Sequence, residues 1–413
     1  MELLLARQPI FDRHERVVAY ALLHQGVHPA LTGSEAYERA ERLLVDAALG
    51  SGIEQLTGGK PAHVKASPGM ITGNTVRLLD PRRLTLELRG DALEDAAVRE
   101  ACVGLAAAGY DLALDGFVHT PAAAAVLPSV RTVKVDVRGR TTPELAWLAE
   151  QVRPHRARLL AEHADNRTVR DACLSLGFEL FQGWRFAQPE TLSRRDFPIQ
   201  HVQTFKLLKA LRDPATHESA IEDGFRRDVA LSYKLLRMVN SAAMGGRGIW
   251  SIGHAVRLLG REALYRWLSL LLLSSAADDG VKREVLHASL VRARLCELLA
   301  GDAGLRPASG PLFLVGVFSL LDVIMTAPMS EVVSRLDVDA EVAAALERRE
   351  GFFGAMLALV EAYESGAWDA VALRCMEVGV EPETLCAHYM EALGWARERM
   401  GQLMEPAAPV AVG

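Results

Sequence analysis

The sequence predicts a (β/α) barrel over residues 1–190 followed by an all-α helical bundle. Three observations predict it. Short β-like runs alternate with helical stretches up to residue 187, the pattern of a parallel sheet. Charged residues fall at every second position of several runs, so one face of that sheet carries charge. After residue 201 no strand pattern recurs. A doubly wound sheet buries both faces and reads as unbroken apolar strands. A barrel accepts inward polar residues near the C-terminal ends of its strands. At 190 residues it falls short of the ~250 usual for such barrels, which leaves complete and incomplete versions as alternatives. An incomplete barrel would expose apolar edges for the helical half to cover.

The opening MELLLARQPI has an apolar patch too short for a signal peptide and no basic lead before it. The β-like runs are Val17–Leu23, His63–Ser67, Leu84–Leu88, Leu112–Phe117, Val133–Val137, Leu159–Ala164 and Leu180–Phe186. Ser34–Leu49 has helical spacing, with Ser34 as N-cap and Gly50 as C′ glycine. In Leu84–Leu88 the leucines share one face, and Thr85 and Glu87 the other. Lys134 and Asp136 likewise oppose the valines, Asp115 shares a face with Ala113, and Lys65 with His63.

TLSRRDFPIQ, residues 191–200, reads as a linker. In Asp228–Asn240, Leu231, Leu235 and Val239 recur at helical spacing behind an Asp228 cap. Ser251 caps a helix running to Gly260, and further helical patterns cover His287–Ala300, Leu312–Met325 and Val338–Glu364. The tail from Glu405 reads as disordered.

Composition narrows the function. Half of the 413 residues are hydrophobic and the net charge is −6, which excludes wholesale disorder. The first 200 residues carry 24 Lys and Arg against 25 Asp and Glu, and the rest is more acidic, so neither half has the basic excess of a nucleic-acid binder. Five cysteines, none spaced CxxC, indicate neither a disulfide framework nor a zinc ribbon and fit a reducing cytoplasm. The greasy run Leu268–Leu273, bounded by Arg266 and Ser274–Ser275, falls short of the ~20 residues of a membrane span, so a soluble protein is expected.

Lys65, Glu87, Asp115, Lys134, Asp136, Glu162 and Asp165 form an inward charged set. It reads either as a metal or acid/base site at the barrel mouth or as an ion network that satisfies itself. The two lysines favour the network.

The segments RQPIFDRHERVVAYALL, LTLEL, ALDGF, VKVDV, AEHAD and FQGWRFAQPE, in that order over residues 4–190, resemble the EAL family of cyclic di-GMP phosphodiesterases. The resemblance implies a TIM-like barrel and two divalent metals held by acidic residues and an asparagine, with a lysine near the attacking water. It also implies losses. The family's glutamate falls on Ala21, its phosphate-facing arginine on Gln25, its asparagine on Lys65, and its paired aspartates on Asp115 and Gly116. Glu87, Lys134, Glu162 and Gln182 match, and Asp165 stands for a glutamate. An ammonium ~4 Å from a divalent ion costs about 8 kcal/mol at an effective dielectric of ~20. Lys65 is therefore expected to replace metal as a counter-ion to Glu87 and Asp115.

LLRMVNSAAMGGRGIWSIGHAVRLLGREAL, residues 235–264, resembles the HDOD domain, an all-α relative of the HD phosphohydrolases that lacks their metal site. No His–Asp dipeptide occurs in the chain. His254 and His287 read as capping or packing residues. Asn240–Trp250 reads either as a plain connection or as a recognition loop anchored by Arg247 and Trp250.

The expectation is thus a degenerate EAL-like barrel (1–190), a linker (191–200), an HDOD domain (201–403) and a tail (404–413). It is a non-catalytic cytoplasmic bacterial signalling scaffold with protein partners, without metal, other cofactor, nucleic acid or membrane. The vestigial pocket comprises Lys65, Glu87, Asp115, Lys134, Glu162 and Gln182. The alternatives are a cyclic di-GMP receptor that does not hydrolyse, against which the loss at Gln25 weighs, and a residual phosphodiesterase.

Overall fold

The structure is a computed structural model and describes residues 5–24, 52–73, 75–164, 167–183, 199–240, 249, 251–275, 280–336 and 338–404. The expected Ser34–Leu49 helix, Gln25, Asp165, nearly all of the 191–200 linker, Arg247, Trp250 and the tail beyond residue 404 lie outside them.

Eight strands close a barrel in chain order, so the incomplete alternative is corrected. The strands are β1 (Leu5–Asp12), β2 (Val17–His24), β3 (Ala62–Lys65), β4 (Leu84–Arg89), β5 (Asp111–Asp115), β6 (Thr132–Asp136), β7 (Arg158–Glu162) and β8 (Leu180–Gln182). From β2 to β8 neighbours run parallel, whereas β1 is antiparallel to both β2 and β8. A short hairpin turn joins β1 to β2 in place of a helical crossover, which shortens the domain.

Strand β1 is the element the sequence reading missed. Arg7 breaks its apolar run, yet Arg7 is only 5% exposed. Its Nη2 lies 3.6 Å from the Glu284 carboxylate, and its guanidinium sits 4.1 Å from the Tyr20 ring centroid. A polar residue in the pattern is thus a buried one, paired with a residue far along the chain.

Several strands stop earlier than their apolar runs suggest, each for a local reason. After β3, Ser67 turns to cap the helix α2 (Pro68–Thr72), its Oγ accepting from Met70 N at 3.1 Å. Helix α1 (Gly52–Thr57) precedes β3. After β5, Gly116 takes φ +62°, and after β7, His163 takes φ +57°. Helices α3 (Ala96–Ala107), α4 (Pro121–Val126), α5 (Thr142–Val152) and α6 (Arg167–Ser175) alternate with the later strands. Thr120 caps α4, and Thr141 with Glu144 forms a capping box on α5.

The rest of the described chain is helical: α7 (Ile199–Arg212), α8 (Glu218–Arg226), α9 (Val229–Val239), α10 (Ile252–Ser275), α11 (Gly280–Asp302), α12 (Ser309–Phe318), α13 (Leu321–Met325), α14 (Met329–Leu336), α15 (Ala340–Arg348), α16 (Gly351–Ser365), α17 (Trp368–Val378) and α18 (Pro382–Met404). Asp228 caps α9, as expected, its Oδ1 accepting from Leu231 N at 3.0 Å. Gly260 leaves helical geometry at φ +73°, and beyond this kink α10 continues to Ser275. The single pattern read over Val338–Glu364 is two helices, because Arg349 adopts φ +57° between them.

The chain forms two compact units. The first combines Met1–Gln188, Asp279–Glu284 and Leu359–Gly394; the second combines Pro189–Asp278, Val285–Ala358 and Trp395–Gly413. In the first, the Tyr363 hydroxyl accepts from Leu5 N at 3.3 Å and donates to Leu5 O at 2.9 Å, tying α16 to β1. Tyr363 also packs against Trp368 and Tyr389. In the second, a Cβ at Gly316 would lie 2.4 Å from Ala293 Cα, so the glycine permits α12 to approach α11. Among the described residues, Arg306–Met325 rather than Leu268–Leu273 is the stretch long and apolar enough by composition to cross a membrane, and most of its apolar window is buried inside the protein. All five cysteines are free thiols.

Candidate functional site

The period-two pattern sends His63, Glu87, Lys134 and Glu162 toward one cluster inside the barrel, where Lys134 is the hub. Lys134 is 1% exposed, and its Nζ donates to Glu87 Oε1 at 2.7 Å. The same ammonium lies 2.9 Å from Glu162 Oε1 and 3.7 Å from Asp115 Oδ1. Asp115 takes a second cation, Lys65 Nζ at 3.1 Å, and His63 Nδ1 stands 3.1 Å from Glu87 Oε1. Asp115 is the carboxylate the two lysines share, and the β3–β4 register sets Lys65 opposite Glu87.

Burial and charge act against each other here. Burial alone would raise the Glu87 carboxyl. The Lys134 ammonium, the His63 hydrogen bond and more distant Lys65 outweigh it and hold Glu87 well below the usual carboxylate range. Burial would lower the Lys134 ammonium, but Glu87, Glu162 and Asp115 together raise it above an ordinary lysine. Glu162 ends raised, because burial and its like-charged neighbours Asp115 and Glu87 exceed the help from Lys134. The hub is therefore a fixed ammonium at every ordinary pH, with Glu87 its ionised partner.

An apolar group lies beside these charges, with Leu160 the β7 register partner of Lys134. Ala21 is 2% exposed and packs in one core cluster with Ile10, Ala19, Leu160 and Leu180. Gly116 sits exposed in the turn after β5, where a Cβ would meet nothing within 4 Å, so its φ rather than space accounts for the glycine. Gln182 stands opposite Glu162 in the β7–β8 register. Its Nε2 donates to Gln8 Oε1 at 2.7 Å, while its own buried Oε1 has no partner among the described residues.

Asp136, grouped with the charged set by its face and opposite Glu162 in the β6–β7 register, takes other ion-pair partners. It stands at the end of β6, where Arg138 Nη2 donates to it at 2.6 Å and His163 Nδ1 lies 3.4 Å away. Sequence reasoning passed over two contributors. His63 carried a legible signal, since it shares the Lys65 face two residues earlier. Gln8 did not, because β1 was not read as a strand. Among the described residues, no group of three or more His, Cys, Asp or Glu is arranged to hold a metal ion.

In the helical half, Ser251 Oγ accepts from His254 N at 3.4 Å at the start of α10. Asp322 is raised by burial against the Val323 main-chain hydrogen bond and the pull of Arg349, and its Oδ1 has no hydrogen-bond partner among the described residues.

Comparisons with known proteins match this architecture. A family model described as the HDOD domain matches residues 198–360. The uncharacterized protein YuxH of Bacillus subtilis is 32% identical over 97% of this chain and 99% of its own. The cyclic di-GMP phosphodiesterase CdgJ of Vibrio cholerae is 29% identical over 95% of this chain and 92% of its own. Among solved structures, the EAL domain of Mycobacterium smegmatis DcpA covers 44% of this chain and 90% of its own, at 20% identity and a TM-score of 0.36.

Proposed function

Because the chain belongs to the EAL–HDOD family, we propose that it is a cyclic di-GMP signalling protein whose barrel does not hydrolyse the nucleotide and which acts through protein contacts. One observation carries this reading: Lys134 and Lys65 already hold the carboxylates Glu87, Glu162 and Asp115. Ala21 and Gly116, where the resemblance implies further oxygen ligands, offer none. Two-metal hydrolysis needs ions about 3.5–4 Å apart, each with enough oxygen donors to fix its geometry. This donor set does not fit such a pair. Lys65 supplies at Asp115 the positive charge that a metal would otherwise bring.

The net charge of −6 supports a protein rather than a nucleic-acid partner, and the free thiols support a reducing cytoplasm. The competing reading is residual hydrolysis, favoured by the name of CdgJ.

Calorimetry of the full chain with cyclic di-GMP, with and without Mn²⁺ or Mg²⁺, separates the readings. Neither heat nor product is the expected result for a scaffold. Heat without product would make the barrel a receptor, and accumulating linear dinucleotide would make it an enzyme.

A further inference from the structure

The second unit contains a cavity of about 240 Å³ between α7, α10 and α12, and three of its lining residues are arginines: Arg212, Arg261 and Arg266. Among the described residues, Glu262 is the one carboxylate that lines it with them.

The way each guanidinium is held leaves binding capacity over. Arg261 Nη1 donates to Asp213 O at 2.6 Å, and its Nη2 donates to Thr216 O. Main-chain carbonyls fix a guanidinium in place without neutralising it. Asp213, whose carboxylate lies close enough to be stabilised by Arg261, spends its hydrogen bonds on Ala215 N and Thr216 Oγ1 in its own turn. Arg266 lies 3.9 Å above the Phe313 ring centroid, and its Nη2 donates to Glu297 Oε1 at 2.5 Å. Glu297 is shared, because Arg294 Nη1 donates to its other oxygen at 2.8 Å. One carboxylate thus serves two guanidiniums. Arg212 pairs with Asp339 and stands 5.6 Å from the Tyr265 ring centroid. Each arginine has five donors, and aromatic faces and carbonyls orient them without using them up.

Glu262 is the resident anion of this cavity. A Cβ at Gly310 would come 3.0 Å from Glu262 Oε1, so the glycine makes room for that carboxylate. A planar carboxylate presents two oxygens in one plane. Guanidiniums converging from two helices suit an anion with oxygens in several directions.

We propose that this cavity binds a compact tetrahedral oxyanion, the phosphoryl group of a small phosphorylated molecule, with Arg212, Arg261 and Arg266 as donors and Glu262 as the anion it displaces. The volume lies below the ~300–1,000 Å³ of pockets for drug-sized ligands and suits a small one.

The test uses the full chain at constant ionic strength, with inorganic phosphate and pyrophosphate as probes and acetate as control, read by calorimetry and thermal shift. Wild type should bind pyrophosphate and show no response to acetate. Glu262→Gln should bind about fivefold more tightly, since it removes the competing charge. Arg261→Gln and Arg212→Gln should each lose about tenfold. If Arg261→Gln loses its helical circular dichroism, Arg212→Gln, whose partner Asp339 is exposed, decides. Phosphate and pyrophosphate binding in neither wild type nor Glu262→Gln would overturn the proposal. So would an equal response to acetate, or undiminished affinity in the arginine variants.

Discussion

Lys134 shows how one side chain sets the chemistry of the barrel interior. A buried ammonium survives only where carboxylates surround it, and Glu87, Glu162 and Asp115 do so within 3.7 Å. Lys134→Met should cost about 3–5 kcal/mol of unfolding free energy, because it leaves the buried Glu87 without its ammonium partner and with His63 as its one close contact among the described residues. The pH dependence follows from the Glu87 shift. In wild type its depressed carboxyl contributes stability that is present above its ordinary value of 4.5 and lost as pH falls through the depressed one. Without Lys134, burial raises that carboxyl, and protonation then relieves the strain. Urea denaturation should show the variant's deficit shrinking between pH 7 and pH 5; a constant deficit would contradict it. Lys65 is more exposed, so Lys65→Asn should cost about 1 kcal/mol or less. Calorimetry should register a gain in Mn²⁺ affinity in this variant, and wild-type affinity would argue against the counter-ion role. Lys65, Glu87, Lys134 and Glu162 were legible in the sequence because a strand's period of two needs only local residues to be read. Which carboxylate each lysine meets was not, since that depends on register between strands.

Strand β1 and helix α16 show what local pattern leaves unread. Arg7 looks like a surface residue in LLLARQPIFD, and only Glu284 and Tyr20 make it an interior one. The edges of β3, β5 and β7 were overread by about two residues each, because helix caps and left-handed turns stop strands before their apolar runs end. Leu5 is tied to Tyr363, 358 positions away, by two hydrogen bonds through one hydroxyl. Tyr363→Phe removes both and leaves a buried main-chain amide and carbonyl without this partner, a cost of about 1–3 kcal/mol. Hydrogen exchange should then speed up at the amide of Leu5 and along β1 relative to β6. Unchanged protection of β1 would show that α16 does not hold it.

The whole chain divides into an eight-stranded barrel unit and a helical unit, and the class of each was legible from hydrophobic period and strand–helix alternation. Residues 359–394, which belong to the barrel unit, were not legible as such. An amphipathic helix shows the same stripe whichever core it covers. At this scale the proposal is that lysines take the electrostatic place of metal in the barrel, so that the molecule would signal without hydrolysis. The most direct measurement is product formation from cyclic di-GMP by excess full-length protein at saturating Mn²⁺, with the products resolved by chromatography. The account predicts intact cyclic dinucleotide after prolonged incubation, and linear product forming in proportion to protein would contradict it.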